Sequence, residues 1–141
     1  KLGYTVVVIG GGLVGCETAE YLAMQHKNVT IVEMLDEVAG VMPLALRKML
    51  LARMANMKVS VLTGVQCREF AGGSLVITAK SGEEVKLAFD TVVVAAGGKP
   101  NQTLMQGLRR AVHMVYCAGD CVEPRGIAEA MADGYRIGLD I

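Results

Sequence analysis

Gly10, Gly12 and Gly15 form a G-x-G-x-x-G string, and an acid, Glu33, follows 23 residues after the first of them. In this spacing the first glycine permits a tight turn. The second lets the backbone approach a pyrophosphate, and the third lets a helix lie against a strand. A helix starting at Leu13 and Val14 offers unpaired N–H groups and a partial positive charge to phosphates. An acid about 20 residues further on accepts the hydroxyls of an adenosine ribose, and a hydrogen bond to a charged group is worth about 1.5–3 kcal/mol. The same acid repels a 2′-phosphate, by up to about 4 kcal/mol for two unit charges in contact at an effective dielectric near 20. The residues after it, Met34, Leu35, Asp36 and Glu37, include no Arg or Lys to receive such a phosphate. The pattern predicts NAD(H) rather than NADP(H). No G-K-[ST] follows the glycines, so a mononucleotide P-loop is not supported.

These residues need particular elements to hold them. Tyr4 to Ile9 is a short, continuous apolar run, as expected of a strand buried on both faces of a parallel sheet. Leu13 to His26 carries Leu13, Cys16, Ala19, Leu22 and Ala23 at helical spacing. Asn28 to Met34 reads as a second strand and Val59 to Thr63 as a third. Between them Pro43 stands where a helix favours its first residue, and Leu44 to Met57 is predicted as a helix buried on more than one face. Met49, Met54 and Met57 read as adaptable core filler.

After Thr63 the pattern changes. Val65 to Phe70, Ser74 to Ala79 and Glu84 to Phe89 are short β runs separated by Gly72-Gly73 and Ser81-Gly82, which predicts a three-stranded antiparallel meander. Asp90 to Ala96 is predicted as another buried strand, ending at Gly97-Gly98. Met105 to Val112 is ambiguous. Met114 to Ala118 reads as a last strand before Gly119-Asp120, and Ile127 to Leu139 as a closing helix. The expected fold class is α/β, a three-layer Rossmann-like parallel sheet with that meander, binding its ligand at the carboxyl edge of the strands.

Composition narrows the function. The chain has 141 residues, 52% hydrophobic and 20% charged, which fits one globular domain and not a disordered segment. Its 14 basic and 14 acidic residues cancel, so neither nucleic acid nor an anionic membrane is expected as a partner. No apolar run reaches the length of a transmembrane helix, and no signal peptide is visible. Cys16, Cys67, Cys117 and Cys121 form no C-x-x-C pair, and with only His26 and His113 beside them no metal site is expected. Scattered thiols without a secretion signal point to a reducing, cytoplasmic setting, and a Cys117–Cys121 disulfide is not expected. The start at Lys1, without an initiator Met, reads as a piece of a longer chain.

Four stretches together resemble a known family: VVVIGGGLVGCETAEYLA, VTIVEM, VVVAAGGKPN and VYCAGDCVEPRGIAEAMADGY. They are similar to the flavin- and pyridine-nucleotide-dependent disulphide oxidoreductases. The tail most resembles the NADH:flavin oxidoreductases grouped with 2,4-dienoyl-CoA reductase and trimethylamine dehydrogenase.

The resemblance implies that residues 1–110 are an NAD(H)-binding domain and residues 111–141 the returning part of an FAD-binding domain. It implies a role for Glu17 near the nicotinamide. Gly97 and Gly98 match a turn closing over the nucleotide crevice, and Gly119 and Asp120 match an element contacting FAD. The expected function is to position NADH for hydride transfer to a flavin of the parent enzyme. The alternative is a non-catalytic domain of the same family that holds ADP structurally. No acid–base catalyst is expected within the chain. FAD, and any FMN and iron–sulphur cluster, belong to the parent. The expected partners are NADH and the parent's remaining domains, and a face exposed by their removal would favour a homodimer.

Overall fold

The computed structural model describes residues 2–141. The chain divides into two compact units, one ending at Ala96 and the other Gly97–Ile141.

The first unit is built on a parallel sheet. Strands β1 (Thr5–Ile9), β2 (Asn28–Val32) and β3 (Ser60–Leu62) are linked by helices α1 (Leu13–Met24) and α2 (Leu44–Asn56). A meander follows, β4 (Val65–Ala71), β5 (Ser74–Ala79) and β6 (Glu84–Ala88), and then β7 (Thr91–Val94) returns to the sheet. The order is β3-β2-β1-β7, with every pair parallel, and the meander forms a separate antiparallel sheet.

Strand alternation explains the three layers. Successive side chains point to opposite faces, so Val6 and Val8 pack with Cys16, Leu22, Leu50 and Met54 of the helices. Val7, between them, packs with Val32, Leu75 and Ile77 on the meander side. The sheet is thus covered by helices on one face and by β5 on the other. The α/β class, the Rossmann-like sheet and the meander all agree with the sequence.

Four details differ from expectation. Helix α2 buries only Leu50 and Met54, while Leu44, Leu46 and Met49 face solvent. One helix face meets the sheet, and no described residue of this unit covers Leu44, Leu46 or Met49. Strand β7 is half-buried, with Val94 exposed, because it is an edge strand paired only with β1. Leu13 lies in the predicted apolar row of α1 but is exposed at the helix start, ahead of the turn that meets the sheet. Met114 to Ala118 is no strand. It pairs with no strand among the described residues, and a lone extended segment leaves its backbone groups without a ladder.

In the second unit α3 (Thr103–Leu108) takes in only the first part of the ambiguous segment, and α4 (Ile127–Asp140) closes the chain. A single 3-10 turn, Gly119–Cys121, lies between them.

Candidate functional site

The glycine turn sits where β1 ends. Gly10 has φ +105°, and a Cβ there would lie 2.4 Å from the Ala95 carbonyl oxygen. A Cβ on Gly15 would lie 1.9 Å from the Gly10 oxygen. Both positions therefore require glycine for the chain's own sake. A Cβ on Gly11 would also collide, at 2.4 Å from Val38 Cγ1.

Gly12 is different. Its backbone is ordinary, φ −64° and ψ −177°. A Cβ there would have no neighbour within 4 Å. The fold itself does not ask for glycine at this position. Gly12 is also the N-cap of α1, which has no side-chain cap and no acid in its first turn. The positive end of a 12-residue helix is thus left open beside exposed Gly12, Leu13 and Val14.

Glu33, just beyond β2, is 8% exposed. Its carboxylate accepts the Gly11 N–H at 2.6 Å and the Leu35 N–H at 2.7 Å. The Gly11 carbonyl in turn accepts the Ala39 N–H at 2.7 Å and the Cys16 thiol at 3.3 Å. The Gly11 residue is held from both sides, and the turn is preorganised. Burial pushes the Cys16 thiol above its ordinary value, which keeps it protonated as a donor. Glu33 was read in the sequence as a grip on a ribose, and its two backbone bonds were not anticipated. A carboxylate has about four lone-pair sites, and these bonds take two of them. Met34 is exposed beside it, and Glu17 is exposed on α1.

The first unit thus brings Gly10, Gly12, Leu13, Val14, Gly15, Glu33 and Met34 to the carboxyl edge of its sheet. Gly97, Gly98, Gly119 and Asp120 belong to the second unit. There Gly119 has φ +68°, and its N–H is accepted by Asp133 at 3.2 Å. Asp133 also accepts Arg125 at 2.5 Å and lies buried on α4. This anchor was missed, although an acid between Ala130 and Ile137 on a helix's inner row was a visible signal. The four cysteines are free. No helix among the described residues is long and apolar enough to cross a membrane.

A parallel sheet whose first strand ends in an uncapped glycine turn, braced by a buried acid beyond the next strand, defines a Rossmann-type nucleotide-binding domain. The chain belongs to the pyridine nucleotide-disulphide oxidoreductase family, whose model matches residues 1–134. It is 39% identical over 132 residues to a bilirubin reductase of Mediterraneibacter gnavus (strain CC55_001C), covering 92% of this chain and 20% of that protein. It is 34% identical over 137 residues to an NADH oxidase of Thermoanaerobacter brockii, covering 96% of this chain and 21% of that protein. Among solved structures, a 2-naphthoyl-CoA reductase in complex with 2-naphthoyl-CoA superposes with TM-score 0.85 and 32% identity, over 100% of this chain and 22% of that one. The chain therefore spans about a fifth of the length of these two curated relatives.

Proposed function

We propose that the chain binds NADH and positions it for hydride transfer to a flavin held by the parent enzyme. The observation that carries this reading is Gly12. Its missing side chain opens onto space that no atom of the described residues occupies within 4 Å, at the uncapped end of α1. A group that must come close to the backbone from outside explains the glycine, and a pyrophosphate fits the charge.

In this reading the amides at Gly12, Leu13 and Val14 hold the pyrophosphate, while Gly10 and Gly15 shape the turn. Glu33, fixed by Gly11 and Leu35, accepts the adenosine ribose hydroxyls with its remaining lone pairs, and Met34 lies against the adenosine. Glu17 borders the nicotinamide. The acidic run Glu33, Asp36 and Glu37 favours a 2′-hydroxyl over a 2′-phosphate. Residues 1–110 form the NAD(H)-binding domain. Residues 111–141, with Gly119 and Asp120, belong to the FAD-binding part of the parent. The dinucleotide supplies the hydride when bound, and the chain supplies binding and orientation.

The similarity to an NADH oxidase supports this reading. Calorimetric titration with NADH tests it. Saturable binding that Gly12→Val abolishes, with the fold intact by circular dichroism, is expected. Equal binding by the Gly12→Val variant, or no binding by the unsubstituted chain, overturns it.

A further inference from the structure

Ala39 has φ +51°, in the left-handed region that favours glycine. It lies buried in the loop between β2 and α2, and its N–H donates to the Gly11 carbonyl at 2.7 Å. A residue with a side chain stays in that conformation only where its surroundings hold it. The bond on which one side of the glycine turn depends therefore needs a second group to maintain it.

That group comes from α2. Arg47, in the first turn of the helix, donates through Nε to the Val38 carbonyl at 2.8 Å, and its Nη1 pairs with Glu37 Oε2 at 2.6 Å. The Val38 carbonyl and the Ala39 N–H belong to one planar peptide unit. Arg47 holds the oxygen end of that plane, and Gly11 receives the nitrogen end. A planar fork of donors can serve a carbonyl and a carboxylate together, which a single ammonium nitrogen does less well. Two glycines fit the arrangement. A Cβ on Gly40 would lie 2.8 Å from Glu37 Oε1, where the paired carboxylate sits. The Val38 side chain fills the space beside Gly11, so the same peptide is also packed against the turn.

We propose that Arg47 is a positioning residue for the dinucleotide turn: by fixing the Val38–Ala39 peptide it aims the Ala39 N–H at Gly11 and keeps the turn in its binding form. The proposal rests on the dinucleotide reading above and deepens it. Arg47 acts through Gly11, and its guanidinium is engaged by Val38 and Glu37 rather than offered to phosphate. Glycine at position 39 would adopt the same backbone without the penalty, so Ala39→Gly should lessen the need for Arg47.

Calorimetry with NADH on the 141-residue chain compares the unsubstituted protein, Arg47→Met and Arg47→Met/Ala39→Gly. The apparent Kd rises as the competent fraction falls, and a turn competent about one time in five weakens binding about fivefold. That loss is expected in Arg47→Met, with faster hydrogen exchange at the Ala39 amide. The double variant should recover most of the affinity. Its denaturation midpoint should fall further, because the change at position 39 removes a buried methyl and adds freedom to the unfolded chain. Affinity and stability then move in opposite directions, which general support of the fold by Arg47 would not produce. If Arg47→Met is unfolded by circular dichroism, Arg47→Lys, which keeps the charge beside Glu37 and loses the fork, is read in its place. An unchanged Kd or unchanged exchange in the single variant, with NADH bound by the unsubstituted chain, overturns the role of Arg47 alone. Affinity that stays weak in the double variant also overturns it. No binding by the unsubstituted chain overturns the dinucleotide reading and this proposal with it.

Discussion

Glu33 Oε2 accepts the Gly11 N–H at 2.6 Å, across 22 residues of sequence. With Oε1 on the Leu35 N–H, one carboxylate joins the turn after β1 to the loop after β2. The ladder reaches Gly10 through its N–H on the Val32 carbonyl, and the Ala39 N–H on the Gly11 carbonyl is a second link between the two loops. Glu33 makes the binding edge a single preorganised piece, which lowers the ordering cost of any ligand it takes.

Glu33→Gln should therefore destabilise the chain by about 1–3 kcal/mol. The amide offers one acceptor oxygen, and its NH2 would oppose a backbone N–H, leaving a buried donor without a partner. Chemical denaturation measures this. A midpoint equal to that of the unsubstituted chain would show that the two bonds contribute nothing.

Gly12→Ala should separate folding from binding. The methyl meets open space and the backbone angles suit it. Lower unfolded-state entropy favours Ala, whereas the N-cap position disfavours it, and the two effects leave stability within about 1 kcal/mol. NADH affinity should fall at least tenfold, because the methyl stands where the pyrophosphate approaches. Gly15→Ala is the contrast: its methyl would meet the Gly10 oxygen, so stability itself should fall.

Cys16 should resist thiol reagents in the native chain at neutral pH. It is fully buried, and burial raises its pKa. A thiol with a raised folded pKa contributes stability below its unfolded value and loses it as pH rises through the folded value. Mass spectrometry after brief labelling should find Cys16 unmodified until denaturant is added. Rapid native labelling would show that the turn opens readily.

Glu20 on α1 is paired with Arg53 on α2, and the Arg53 hydrogen bond holds its carboxyl below the ordinary range. A lowered folded pKa gives stability that is present above the unfolded value and lost as pH falls through the folded one. Between about pH 5 and 3, Glu20→Gln should flatten part of the acid decline in stability. Identical acid limbs for the two proteins would remove this pair from the account.

Asp133→Asn should loosen the turn at Gly119, whose N–H the carboxylate accepts while also pairing with Arg125. The cost is about 1–3 kcal/mol, since the remaining amide oxygen cannot serve both partners with a full charge. Hydrogen exchange at the Gly119 amide should accelerate. Unchanged exchange would show that the turn is held by other means.

Much of the fold was legible because its signals are local. The apolar run into glycine, the helical row Cys16, Ala19, Leu22 and Ala23, and the paired turn signals of the meander each lie within about ten residues, and each became the element expected. Burial was less legible. Thr91 to Val94 has the composition of a central strand, yet it lies at an edge, and edge position depends on which strands pair. Met114 to Ala118 has strand-like residues but no partner, and composition does not supply one.

By itself the sequence determined the parallel β-α-β order and the glycine turn at the mouth of β1, because backbone freedom and hydrophobic period are properties of neighbouring residues. Only the tertiary structure decided that Glu33 braces Gly11, and that Lys80 and Arg68 meet the loop carrying Met34 and Asp36. Those meetings follow from the sheet register and the packing of the meander on the sheet. Such contacts join residues tens of positions apart, and no local pattern encodes them.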